Sequence, residues 1–94
     1  MYARIAEFQS TSKVNCDMII AFFQNVMIPR NIKNGQLSCE VYRVSATTGF
    51  VISSFKNKAD ATKVMKIMAD ELNEVKGNTK IKLIEGERIF RIDQ

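Results

Sequence analysis

Between Thr47 and Gly77 the hydrophobic repeat changes from that of a strand to that of a helix, and this unit constrains the fold more than any other feature. A turn at Thr47-Thr48-Gly49 opens into Phe50-Val51-Ile52-Ser53-Ser54-Phe55, a run rich in aromatic and branched residues that reads as a strand. From about Asn57 to Lys76 the apolar residues instead recur every three or four positions, at Ala61, Val64, Met65, Met68, Leu72 and Val75. Lys63, Lys66, Asp70, Asn73 and Glu74 fall on the other side, so this is an amphipathic helix. Asn57, with Asp60 three residues on, forms its N-terminal cap, and Gly77-Asn78 stops it.

The first half of the chain repeats the plan. Tyr2 to Gln9 reads as a strand, and Ser10 to Lys13 as a polar turn holding helix-capping residues. Ile19, Phe22, Phe23, Val26 and Met27 then form one apolar stripe on a helix from about 14 to 32. Pro29 has no N–H for the carbonyl of Asn25, so a bend is expected there, and Asn34-Gly35 ends the helix. Gln36 to Val44 alternates, with Leu37, Cys39 and Val41 on one face and Ser38, Glu40 and Tyr42 on the other. The short link to Phe50 implies an antiparallel hairpin. Thr79 to Ile92 is long for one strand, and Glu85-Gly86-Glu87 in its middle suggests a bulge or bend.

The order strand, helix, strand, strand, helix, strand is that of the split βαβ, ferredoxin-like plan. It predicts one α+β domain over residues 1–94, with a four-stranded antiparallel sheet and both helices on one face. The other face should then be polar, yet apolar residues point both ways. Phe50 and Ile52 oppose Val51 and Phe55, Ile5 opposes Tyr2 and Phe8, and Ile81, Leu83 and Ile89 oppose Ile84, Phe90 and Ile92. A second copy of the same sheet is the simplest cover, which predicts a homodimer through the sheet face.

Composition removes several chemistries. The chain has no His and no Trp, which excludes Ser-His-Asp and Cys-His arrangements and histidine-ligated zinc or haem. No metal site and no cofactor are expected. Cys16 and Cys39 lie outside any C-x-x-C pair and read as small apolar fillers. No run of about 18 apolar residues is present, and Arg4 interrupts the segment where a signal peptide would be apolar, so a cytoplasmic protein without a membrane partner is expected. The net charge of +4 permits nucleic acid without requiring it, because the lysines never form a block.

Tyr2 to Gln9 (YARIAEFQ), the helix reaching Val26-Met27-Ile28-Pro29, and the run from Val41 to Met65 together resemble the dimeric α+β barrel superfamily, in particular the antibiotic-biosynthesis-monooxygenase-like domains. The resemblance covers nearly the whole chain. It implies a homodimer of facing sheets and a pocket between each sheet and its helices. It also implies a small cofactor-independent monooxygenase-like protein binding an aromatic or other apolar molecule, with a non-catalytic ligand-binding or structural homodimer as the alternative. Phe55 stands where the family often has Trp, and the haem-degrading members bind iron through a His that this chain lacks. The implied pocket walls are Phe23 and Met27 from the first helix, Met65 from the second, and Val51, Ser53 and Phe55 from the sheet. Cofactor-free oxygenation would need a proton acceptor and a cation to hold a phenolate, for which Tyr42, Arg43, Glu40 and Arg91 are the polar candidates. Each also reads as a surface or strand-edge residue, so the catalytic assignment stays open.

The same element order is that of the RNA-recognition fold. Thr48 to Phe55 matches its aromatic octamer at Phe50 and Phe55 but departs at Thr48, Val51 and Ile52. With Phe50 and Tyr2 the only aromatics expected on the open sheet face, base stacking has little to work with, which argues against a nucleic-acid partner.

Overall fold

A computed structural model describes residues 1–94. Four strands, β1 (Tyr2–Ser10), β2 (Gln36–Arg43), β3 (Thr48–Phe55) and β4 (Thr79–Glu87), form one antiparallel sheet in the order β2-β3-β1-β4. The helical segments α1 (Lys13–Phe22), α2 (Ile28–Lys33) and α3 (Lys58–Val75) pack on one side of it. This is the ferredoxin-like βαββαβ arrangement expected from the sequence, with α1 and α2 as two parts of one helical run.

The ends of the helices are set by local hydrogen bonds. The Ser12 hydroxyl accepts from the Asn15 N–H at 3.0 Å, and the Asn57 side chain accepts from the Asp60 N–H at 2.9 Å. Each satisfies one of the free donors in a first helical turn. Gly35, at φ 114°, takes the left-handed conformation that turns the chain from α2 into β2. The expected bend at Pro29 is replaced by a π-helical turn, Phe23–Met27, that joins α1 to α2. Within it the Ile28 N–H reaches back to the Phe23 carbonyl, a five-residue step. The proline follows in the first turn of α2, where its missing N–H costs little.

Strand pairing departs from simple alternation in two places. Gln36 sits opposite Phe55 but Ser38 opposite Ser54, so Leu37 is the extra residue of a β-bulge. Leu37 is therefore exposed instead of sharing a face with Cys39 and Val41, while Gln36 is buried. Conversely, the bulge expected at Glu85-Gly86-Glu87 is absent, and β4 pairs with β1 without a break from Thr79 to Glu87. The carboxylate that made this segment look turn-like is held in the sheet by Arg4 and Tyr2. Beyond Glu87 the chain leaves the sheet, so Ile89, Phe90 and Ile92 do not line strand faces; all three are exposed.

The core lies between sheet and helices. Phe8, Cys16, Ile19, Phe23, Met27, Val51 and Leu72 form its larger part, and Tyr2, Phe55, Ala61 and Val64 its smaller part. Both cysteines are free thiols. Phe8 meets the Phe23 ring edge-on, with centroids 5.7 Å apart, and lies over Gly49 of β3. A Cβ on Gly49 would fall 2.4 Å from the Tyr42 carbonyl oxygen and 2.5 Å from Phe8 Cζ. Neither backbone nor a packed ring can yield by that much. Gly49→Ala should therefore destabilise the fold by about 1–3 kcal/mol in urea denaturation, with an unchanged m-value.

Candidate functional site

Along β1, successive residues point to opposite faces, and the even-numbered ones look toward the helices. Tyr2, Arg4, Phe8 and Ser10 are all buried there. Arg4 is the unusual member, since a guanidinium is rarely found only 5 % exposed without full pairing. Its Nε donates to Glu85 Oε2 at 2.8 Å, opposite it on β4, and its Nη2 donates to the Ala61 carbonyl at 3.1 Å. Its Cζ lies 5.3 Å from the centroid of the fully buried Phe55 ring, within cation–π range. Nη1 has no partner.

Arg4 is on the wall of an apolar cavity of about 50 Å³ between the sheet and the helices. Phe23 and Met27 of the π-turn form part of its helical side, with Asn31 of α2 and Met68 and Leu72 of α3. Val51, Ser53 and Phe55 of β3 and Gln36 of β2 form part of its sheet side. Five of the six residues expected on a pocket wall thus meet here. Met65 does not; it packs half-buried against the larger core cluster, and Met68, three residues later, faces the cavity instead. A stripe as wide as that on α3 does not reveal which of its members faces the gap.

Three wall residues were not legible as such. Asn31 is 4 % exposed, its Nδ2 donates to Met68 Sδ at 3.5 Å, and its Oδ1 has no partner. Gln36 is turned inward by the bulge at Leu37, and its Nε2 donates to the Ser38 carbonyl at 3.1 Å. Arg4 shares the face of Tyr2 and Phe8 by alternation, but a charge there reads as a surface group until Glu85, the Ala61 carbonyl and the Phe55 ring are brought around it.

The polar candidates for oxygenation chemistry lie away from this cavity. Tyr42 donates to Glu40 at 2.5 Å on the open face of the sheet and stacks on Phe50, with centroids 4.9 Å apart. Arg43 bonds Asp17 at 2.6 Å and the carbonyls of Ser45 and Ala46, which fastens the β2–β3 hairpin. Arg91 pairs with Asp93 at 3.0 Å in the exposed terminal segment. Tyr2 is not on the open face; it is buried toward the helices and donates to Glu85 at 2.8 Å. No group of three or more His, Cys, Asp or Glu residues converges as a metal site would require, and no helix is long and apolar enough to cross a membrane.

No protein-family model matches the chain, and no curated protein matches it by sequence. Its fold has clear counterparts among solved structures. A dimeric ferredoxin-like protein from an uncultured marine organism superposes with TM-score 0.81 at 10 % identity, covering 97 % of each chain. The chain shares that fold. SnoaB, a cofactor-independent oxygenase from Streptomyces nogalater, superposes with TM-score 0.79 at 5 % identity, over 99 % of this chain and 97 % of that one. An antibiotic biosynthesis monooxygenase does so with TM-score 0.76 at 7 % identity, over 95 % and 99 %. The resemblance drawn from the sequence is therefore met at the level of the fold.

The Arg4 guanidinium, and after it the Tyr2 hydroxyl, hold the Glu85 carboxyl below its ordinary pKa. The same contact raises the Tyr2 pKa, because ionising the phenol would break its bond to Glu85. A depressed carboxyl pKa stabilises the fold above the unfolded value of about 4.3, and that contribution is lost as pH falls through the lower folded value. Glu85→Gln should lower stability at neutral pH. It should also flatten the rise in stability between about pH 3 and 5 measured by denaturant titration; an unchanged slope would show that the pair contributes nothing.

Proposed function

We propose that this chain is a single-domain, homodimeric small-molecule-binding protein whose cavity takes an apolar, aromatic ligand. One observation carries the reading: eleven of the fifteen residues around a gap between sheet and helices are hydrophobic, and three of the four polar ones, Arg4, Asn31 and Gln36, are deeply buried. Such a lining, apolar with a small number of placed polar groups, is the usual form of a ligand site. The open sheet face supports the dimer. Ile5, Phe50 and Ile52 form an apolar centre there, with Tyr42 and Ile84 exposed beside them. Solved structures of the same fold are described as dimeric. A cytoplasmic location accompanies this reading.

Cofactor-free oxygenation of the bound molecule is the second reading, supported by the likeness to SnoaB. The cavity offers Arg4 as a cation to hold a phenolate, but no lining side chain is an ordinary proton acceptor. Glu85 is the nearest carboxylate in the network, and its lowered pKa makes it a weaker base. Binding without catalysis therefore accounts for more of the geometry.

Light scattering should give twice the monomer mass, and Ile52→Lys, at the centre of the open face, should return the protein to a monomer. A wild-type monomer at all concentrations would overturn the dimer. Toluene titrated into 15N-labelled protein should shift the amide signals of Val51, Ser53 and Phe55; shifts confined to exposed loops would remove the cavity reading. Oxygen uptake with phenolic compounds, measured on the same samples, separates the enzyme from the binder.

A further inference from the structure

We infer that the ligand is a neutral molecule with an apolar body, an acceptor oxygen of the carbonyl type at Arg4 and a hydroxyl group at Asn31. This rests on the binding reading above and adds the chemistry that the cavity selects. Both residues are more than nine-tenths buried, both line the cavity, and each leaves one polar atom without a partner: Arg4 Nη1 and Asn31 Oδ1. A buried donor or acceptor left unpaired is costly, and native proteins rarely tolerate it unless something else completes the bond.

The free atoms define what completes them. Arg4 Nη1 is a donor only, so its partner must carry an acceptor. The amide of Asn31 spends one atom on a weak contact with Met68 Sδ at 3.5 Å. Turned over, the amide would set Oδ1 against a thioether that has no proton to donate, so Nδ2 stays on Sδ and Oδ1 is the free acceptor. A hydroxyl O–H completes it.

Charge decides between a carbonyl and an acid. The Arg4 cation is already balanced by Glu85 at 2.8 Å, and the Glu85 pKa is lowered by that contact. An ionised carboxylate or phenolate in the cavity would add a second negative charge against one cation, in surroundings lined mainly by hydrocarbon. A neutral carbonyl oxygen accepts from Nη1 without that excess. The gap of about 50 Å³ is smaller than the roughly 150 Å³ in which an engineered cavity takes benzene, so an aromatic body enters by displacing Met27 and Met68. Both are unbranched side chains that change rotamer readily.

Four compounds of similar size test this at mildly acidic pH, where phenols stay neutral. 4-Hydroxyacetophenone carries both groups; 4-ethylphenol lacks the carbonyl, acetophenone lacks the hydroxyl, and 4-hydroxybenzoate carries an anion. Titrated into 15N-labelled wild-type protein, the first should bind about tenfold or more tightly than each of the others. Arg4→Gln should erase its advantage over 4-ethylphenol alone, and Asn31→Leu its advantage over acetophenone alone. A merely structural role would weaken all four compounds together. Equal affinities would overturn the proposed recognition while leaving the binding reading in place, and tighter binding of 4-hydroxybenzoate would overturn the neutral ligand. No binding of any compound, in wild type or in a Met68→Ala variant with a wider cavity, would overturn both. Should Arg4→Gln fail to fold, the wild-type comparison decides the matter on its own.

Discussion

The rest of the structure depends on β1 being paired along both edges. It bonds to β3 from Tyr2 to Gln9 and to β4 from Tyr2 to Ser10, so every side chain on it has a fixed face. Phe8 can then lie over Gly49 at a distance no side chain at that position would permit. Arg4 is carried by the same register to a place where Glu85, Ala61 and Phe55 surround it. A slip of one residue would expose Phe8 and bury Glu7. Core, cavity and buried cation are therefore consequences of one alignment.

That alignment explains what the sequence makes legible and what it hides. Both helices declare themselves through their stripes and through Ser12 and Asn57, because capping and amphipathicity are local. The hairpin is visible in the turn residues between Arg43 and Thr48, where the Ser45 hydroxyl accepts from the backbone N–H groups of Thr47 and Thr48. Leu37 misleads because a bulge is a property of two strands, and alternation within one strand cannot report it. Glu85 misleads for a similar reason. A charge next to a glycine reads as a turn until the partner strand supplies Arg4 and Tyr2.

The cavity was half legible on the same grounds. The resemblance implies a pocket between sheet and helices with Phe23, Met27, Val51 and Phe55 on its walls, whereas spacing and alternation by themselves mark these residues only as core. Polar wall residues leave no such trace: Asn31 in a helix and Gln36 at a strand end look like surface residues until the fold closes over them. The π-turn before Pro29 belongs with these hidden features. Its five-residue step falls just before the proline, and Phe23 and Met27, four residues apart within it, share one wall of the cavity.

The pairing of β1 with β4 also has a consequence for the order of assembly. Ser10 is bonded in register to Thr79, so the strand made first gains its second neighbour only when nearly all the other elements have been synthesised. Until then a growing chain holds β1 with one edge unpaired and Arg4 without its carboxylate. Contacts this distant in sequence close slowly, since the entropy of a long loop must be lost before they form. A nascent chain would thus keep the central strand of this sheet half-paired until β4 becomes available to it.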